Sequence, residues 1–481
     1  MKSPVAPPQT ALFPAVAERL RWDDFLTRAL ETASQRVTQG SVLPTFNRSE
    51  FQQELAGFDF EAPRQIEEIL SWTISSLERG LVHVTHPRYF GLFNPAPTFP
   101  AACADRIAAA FNPQLATATT SPAAVAIESH AIRAVAERAG LPSNAGGHFT
   151  SGGSEANYTG LICALTRANE RFGLDGARAF AGPPVIYVSR ESHLAWLKIA
   201  HQAGIGRSAV RLIGTDGCGR MSIEALAAAL RDDQKRGCVP VMIAATAGTT
   251  NAGMIDPLVP CFEIARANNL WLHVDAAWGG AVIASRRLRG VLEGISEADS
   301  ITIDAHKWFA TTMGCGMFIT RHAPVLTAAF HVTTGFMPSN SPGLDPYVTS
   351  VQWSRRFLGL RLFLSLAVAG WAGYAEHVER SIALANLLKE GLRVRGWEIV
   401  NDSPLAVLCV TPPYGDMKSI VASMLESGRA WVAIAKFEGG DVIRACVSNG
   451  ETTSDDVAAV IAALEDAASP SAARSTVDPS V

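Results

Sequence analysis

Between about residues 145 and 320 the sequence alternates short apolar, β-rich runs with longer stretches of helical periodicity, and that alternation restricts the chain to very few architectures. The strand-like runs are residues 185–188, 210–213, 241–245, 271–274, 300–303 and 317–320; the helices between them are 154–172, 222–235 and 257–268. The runs are apolar nearly throughout, as strands are when both faces of their sheet are covered. The pattern predicts an α/β domain with a mostly parallel sheet. Ligands of such sheets sit beyond the carboxyl ends of the strands.

The flanks read differently. The first ~20 residues hold four prolines and are expected to form a loose arm. Residues 22–79 carry apolar side chains at helical spacing without a strand pattern, as in FDFEAPRQIEEILSWTISSLERG, so helices that pack against another surface are expected. The segment HPRYFGLFNPAPTFP, residues 86–100, is excluded from a regular helix by its prolines and is expected as an ordered surface loop. A helical stretch runs from Trp353 toward Val394. Beyond it WEIV, LAVLCV, WVAIAKF and VIRACVS read as hairpin-paired strands, followed by a helix at 454–467. The organisation expected is an N-terminal helical segment (1–95), a large α/β domain (96–370), a small C-terminal α+β domain (371–467) and a disordered tail (468–481).

Composition removes several functions. The net charge is −4 and no basic block stands out, which argues against a nucleic-acid surface. The most membrane-like stretch, 357–374, contains Arg361, so a buried helix is expected there and no membrane association. Eight scattered cysteines without a CxxC pair, and an N-terminus broken by prolines, point to reduced thiols and a cytoplasmic address. Histidines and cysteines match no metal-binding spacing, so no metal site is predicted.

Chemistry-bearing residues gather at the predicted strand ends. In WLHVDAAWGG, Asp275 follows the strand, and the small residues after it leave room for something bulky; a helix cap or surface turn is the plainer alternative. In SITIDAHKWF, His306 and Lys307 follow the strand at once. The chain has only seven lysines, and a desolvated lysine is a nucleophile toward carbonyls; a lysine that reaches out to solvent is the alternative. In HFTSGGSEANYTG, Gly152, Gly153 and Ser154 open a helix and offer an anion site, or else Ser151 or Ser154 simply caps that helix. His193 and Thr246 also follow strands, and a lone histidine so placed is more often structural.

Together, an anion cradle, a histidine, a strand-end aspartate and a strand-end lysine occur in the order that pyridoxal phosphate (PLP) requires. TSGGSEAN, HVDAAWGG and DAHKW resemble the group II PLP-dependent amino-acid decarboxylases, the family of aromatic-L-amino-acid and glutamate decarboxylases. HPRYFGLFNP, WSRRFLGLRLF and VIRACVSNGETT extend the resemblance from about Ala11 to Ala467. It implies PLP-dependent transferase fold type I, like aspartate aminotransferase, and a homodimer to which the N-terminal segment contributes. It also implies that Lys307 carries the cofactor as a Schiff base, with His306 beside the phosphate. Asp275 pairs with the ring nitrogen, Ala277 packs near the ring, His193 stacks over it and Thr246 touches the cofactor. Gly153 and Ser154 bind the phosphate, and Phe93 faces the substrate.

Two departures from the family pattern stand out. Asp304-Ala305 precedes His306 where Asn-Pro or Asp-Pro is usual, and Phe336 occupies the place of a proton-donating loop tyrosine, with Tyr347 the nearby phenol. The expected activity is decarboxylation of an L-amino acid, aromatic by preference, to the amine. An aldehyde synthase, favoured by Phe336, is the first alternative; an aminotransferase or a non-catalytic scaffold is the second. No arginine is evident in the sequence as a holder of a second substrate carboxylate.

Overall fold

The computed structural model describes residues 11–333 and 345–469. Seven strands form the central sheet: β1 Gly146–Thr150, β2 Pro184–Ser189, β3 Val210–Ile213, β4 Val239–Thr246, β5 Trp271–Asp275, β6 Ser300–Asp304 and β7 Gly316–Thr320. Their spatial order is β1-β7-β6-β5-β4-β2-β3. Strands β2 to β6 are parallel, and β7 runs antiparallel to both β6 and β1. The carboxyl ends of β1, β2, β4, β5 and β6 therefore open on one edge of the sheet.

Successive side chains of a strand point to opposite faces, and here both faces are apolar. Val185, Tyr187, Ile243, Ala245, Leu272 and Val274 join one core, against the helices Pro122–Arg138, Ile223–Lys235 and Leu258–Ala267. Ile186, Val188, Met242, Ala244, Trp271 and Phe318 join the other, against Gly153–Ala168 and Ala195–Gln202. Each large apolar side chain among them, fully buried, contributes roughly 1.5–3 kcal/mol relative to exposure, which explains why these runs are continuously apolar.

A second sheet, in the order β10-β11-β9-β8, comprises β8 Glu398–Ile399, β9 Val407–Thr411, β10 Ala433–Phe437 and β11 Gly440–Cys446, all antiparallel. It packs with the helices Met417–Ser427 and Ser454–Ala468 and with the far half of Gly359–Arg393, a helical stretch broken at Gly370. Ahead of the large sheet lie the helices Val16–Gln39, Arg48–Ala56 and Ile66–Gly80, and Trp22 Nε1 donates to Glu67 Oε1 to join the first to the third. No helix among the described residues is long and apolar enough to cross a membrane.

Three expectations are corrected. Helix begins at Val16, inside the supposed arm, because the last proline there, Pro14, precedes it. The predicted helix 154–172 ends at Ala168, with a short separate turn of helix at Phe172–Asp175. The aromatic segment after His86 does not lie on the surface. Phe90 N–H donates to Trp431 O and Phe90 O accepts from Cys446 N–H, so the segment runs between pieces of the small domain with Tyr89 and Phe90 buried.

Candidate active site

One cavity of about 350 Å3 opens at the carboxyl edge of the central sheet. Phe93, Gly153, Ser154, His193, Thr246, Asp275, Ala277, His306 and Lys307 all line it, although they come from sequence positions more than 200 residues apart. Register explains part of the convergence: Thr246 ends β4 directly beside Asp275, which ends β5. Asp304 ends β6, and Lys307 follows it within one turn, Lys307 N–H donating to Asp304 O.

The lysine does not reach for bulk solvent. Its Nζ lies 3.0 Å from Asp304 Oδ2, a carboxylate that is itself buried. His306 Nε2 is 3.9 Å from the same oxygen. On the neighbouring wall, Gly152, Gly153 and Ser154 start the helix Gly153–Ala168, whose N-terminus no side chain caps. Ser151 instead donates from its N–H and its hydroxyl to Glu155 Oε2, and Gln352 Nε2 holds the same carboxylate. The capping alternative is thus excluded for Ser154. A Cβ built on Gly153 would stand 2.8 Å from Asp304 Oδ2, so only glycine lets this helix start so close to the strand.

Asp275 accepts from Asn157 Nδ2 at 2.8 Å and from Ala277 N–H at 3.1 Å. His193 Nδ1 accepts the Ala195 N–H, which leaves Nε2 to carry the proton when the ring is neutral. Solvent reaches the ring through the open cavity, yet the surrounding protein lowers its pKa by desolvation, with Asp275 opposing and Lys307 reinforcing the shift. Thr246 is clamped from behind: Asp256 Oδ2 accepts its N–H at 2.7 Å, and Asp256 N–H donates to Thr246 O. Burial pushes the Asp256 carboxyl up to about 7.

An aromatic wall completes the cavity. Phe93 packs on Trp278 with ring centres 4.7 Å apart, and Trp278 stacks on Trp308 at 4.5 Å, nearly parallel. The Arg444 guanidinium, buried, lies 4.4 Å from the Phe93 ring centre and donates from Nη1 to Gly91 O, while its Nε and Nη2 have no hydrogen-bond partner among the described residues.

The donor set fits PLP. Gly152, Gly153 and Ser154 at a helix N-terminus suit a phosphate, and Asp275 offers acceptors to a ring N–H. Lys307 offers an amine, and the Thr246 hydroxyl is buried in the cavity without a partner.

Several sequence expectations fall elsewhere. Of the four small residues after Asp275, Ala277 lines the cavity, whereas a Cβ on Gly279 would stand 2.3 Å from Ala247 O, so this glycine serves packing. Tyr347 packs against Trp353, 4.9 Å between ring centres, and does not line the cavity. Phe336 lies outside the described residues. The sequence reading did not single out Asn157, Asp256, Trp278, His273 or Arg444. The available signal was a polar side chain within an otherwise apolar strand, as in WLHVD and VIRACV, which must find a partner.

Residues 52–411 match the pyridoxal-dependent decarboxylase conserved domain. The chain is 30% identical over 407 residues to L-2,4-diaminobutyrate decarboxylase of Rhizobium meliloti (strain 1021), covering 82% of this chain and 80% of that protein. It is 27% identical over 407 residues to aromatic-L-amino-acid decarboxylase of Bacillus atrophaeus, covering 81% and 83%. In structure it is similar to Oryza sativa TDC crystallised with PLP and tryptamine, with a TM-score of 0.89, 24% identity, and coverage of 94% of this chain and 98% of that one, a likeness of fold.

Proposed function

The chain belongs to the pyridoxal-dependent decarboxylase family and is a PLP-dependent amino-acid decarboxylase; we propose that its substrate is an aromatic L-amino acid and its product the amine. The observation that carries the substrate preference is the aromatic pair Phe93 and Trp278 lining the cavity that holds Lys307 and Asp275, with Trp308 stacked on Trp278. Offset and near-parallel aromatic packing of this kind favours a further ring.

Bound PLP supplies an aldehyde that captures amines and a ring that accepts the electron pair released with carbon dioxide. Gly152, Gly153 and Ser154 hold its phosphate, Asp275 accepts the ring N–H, and Lys307 is the amine that retains it between turnovers. Asp304 Oδ2, at 3.0 Å, pairs with Lys307 Nζ and holds the amine at the mouth of the cavity. His193, with its pKa lowered and its proton on Nε2, presents a neutral ring to the cavity. The aromatic wall keeps water from one side of the cavity, which strengthens the charge interactions inside it.

Arg444 favours a second reading. Two of its donors are unpartnered among the described residues, beside Phe93 and just behind the residues that line the cavity, and an acidic substrate side chain that reached them would satisfy them. We also read the protein as a homodimer, because Leu12, Leu20, Leu30, Leu77 and Leu81 of the N-terminal region and Phe99 and Phe111 are exposed apolar side chains that a second copy would cover. The deciding experiment is incubation of the purified protein with a panel of amino acids in air, measuring carbon dioxide, amine, aldehyde and hydrogen peroxide together. Amine from aromatic substrates without peroxide is expected. Aldehyde with peroxide, keto acid, or amine from acidic substrates alone would overturn the reading.

A further inference from the structure

A buried file of side chains leads from Asp275 into the sheet. Asn157 Nδ2 donates to Asp275 Oδ2 at 2.8 Å, and Asn157 Oδ1 lies 2.9 Å from His273 Nε2. His273 Nδ1 lies 2.7 Å from Ser300 Oγ, which accepts from Trp271 Nε1 at 2.8 Å. Asn157, His273, Ser300 and Trp271 are all buried, and the Trp196 ring meets His273 edge-on.

The two ends of this file fix every proton in it. An indole N–H only donates, so Ser300 Oγ accepts there. A carboxylate only accepts, so Asn157 turns its amide nitrogen to Asp275 and its oxygen to His273. That oxygen needs a donor, which puts the His273 proton on Nε2, where Thr302 Oγ1 at 3.3 Å is a weaker second acceptor, and leaves Nδ1 to accept the Ser300 hydroxyl. Burial lowers the pKa of His273 to about 4, so the ring is neutral and its neighbours choose the tautomer. The result is a line of donors, all pointing toward Asp275 and none carrying a charge.

We propose that the Trp271–Ser300–His273–Asn157 file is a positioning device that fixes the rotation of the Asp275 carboxylate toward the cofactor's ring nitrogen, with His273 and Asn157 as positioning residues. The Ala277 N–H holds the second oxygen, so the plane of the carboxylate is set from two sides. Because the file is neutral, it orients Asp275 without supplying a counter-charge, and that pairing is left to the ring N–H. The inference rests on the reading of Asp275 as the partner of that nitrogen.

The test compares PLP with its analogue carrying carbon in place of the ring nitrogen. Dissociation constants for both are measured by absorbance on the cofactor-free protein, alongside its thermal melting. A hydrogen bond to a charged group predicts a wild-type preference for PLP of about tenfold or more. Asn157→Ala is expected to shrink that preference to about twofold while leaving affinity for the analogue near wild type, since only the nitrogen-directed part is lost. Ser300→Ala, which removes the hydroxyl held against His273 Nδ1 and so loosens the ring, should give an intermediate ratio, and it carries the comparison if Asn157→Ala does not melt cooperatively. Equal losses for both ligands, or an unchanged preference, would overturn the proposal and leave the file merely structural. A wild type that binds both ligands equally overturns it through Asp275, and a wild type that binds neither overturns the cofactor reading itself.

Discussion

Lys307 Nζ and Asp304 Oδ2 form a 3.0 Å ion pair inside the cavity, three residues apart across the turn that follows β6. The pairing answers the cost of placing an ammonium at the end of a strand covered on both faces, since a charge in such a place must be paired or neutralised. It also leaves the amine aimed at the groups that fit PLP. Borohydride reduction of the cofactor-loaded protein should therefore place the pyridoxyl label on Lys307, as peptide mapping will show. A label on Lys198 or any other lysine would sink the assignment. Lys307→Ala should abolish turnover and labelling while the protein still melts cooperatively.

Asp275→Asn tests the electron-accepting side of the site. The substitution keeps the shape of the side chain but removes the charge that pairs with the ring N–H. A fall in kcat on the order of 10²-fold or more is expected, with cofactor still bound. A kcat within a few-fold of wild type would remove Asp275 from the chemistry.

Much of this site was legible because strand ends in a parallel sheet are predictable and Asp275, Lys307, Thr246 and His193 each follow a strongly apolar run. Strand β1 was not legible. Its sequence GGHFT opens with two glycines, which strands disfavour, and it is held as a strand by antiparallel pairing with β7, which is a tertiary effect. The same holds for Asn157 and His273, which locally look like ordinary helix and strand residues. Their meaning lies in a contact between positions 116 residues apart. Arg444 needed the segment after His86 to be buried against β11, whereas its prolines and glycine suggested a surface loop.

Acid should destabilise the fold through its buried histidines. Burial lowers the pKa of His148 from 6.5 to about 3, and those of His273 and His377 to about 4. The folded state excludes protons that the unfolded chain binds, so their contribution is complete above pH 6.5 and is lost as pH falls toward 4. Each can steepen the loss by up to about 1.4 kcal/mol per pH unit. Neither ring nitrogen of His148 has a partner among the described residues. His148→Leu should leave stability at pH 7.5 equal or higher and make the decline to pH 4.5 shallower, as read from urea midpoints. An unchanged decline would remove His148 from the acid response.

Arg355 and Glu128 form a buried ion pair, Nη2 to Oε2 at 2.6 Å, and Glu128 Oε1 also accepts the Gly359 N–H at the start of the long helical stretch. Burial raises the pKa of Glu128, against the pull of Arg355. Glu128→Leu alone strands a buried guanidinium and should cost about 3–5 kcal/mol, whereas adding Arg355→Met should recover most of the loss. Urea denaturation of the two single variants and the double variant measures the coupling. Additive losses would show that the two groups do not depend on each other.

Phe93 and Arg444 decide between aromatic and acidic substrates, and the two readings predict opposite patterns. Phe93 packs on Trp278 in the cavity, while Arg444 does not line the cavity but lies buried 4.4 Å from the Phe93 ring centre with two donors unpartnered among the described residues. If the substrate side chain is aromatic, Phe93→Leu removes a ring contact of about 0.5–1.5 kcal/mol, so kcat/KM for aromatic amino acids should fall by about two- to tenfold, mostly through KM. Arg444→Met, which keeps length and loses charge, should then alter aromatic and small apolar substrates by similar factors. If the side chain is acidic, Arg444→Met instead removes a charge-assisted hydrogen bond and should lower kcat/KM for acidic substrates by at least about tenfold, leaving neutral ones much less affected. Measuring both variants against phenylalanine, tryptophan, glutamate and aspartate separates the cases. The aromatic reading fails if Arg444→Met selectively removes an activity toward acidic substrates that wild type displays and Phe93→Leu changes nothing.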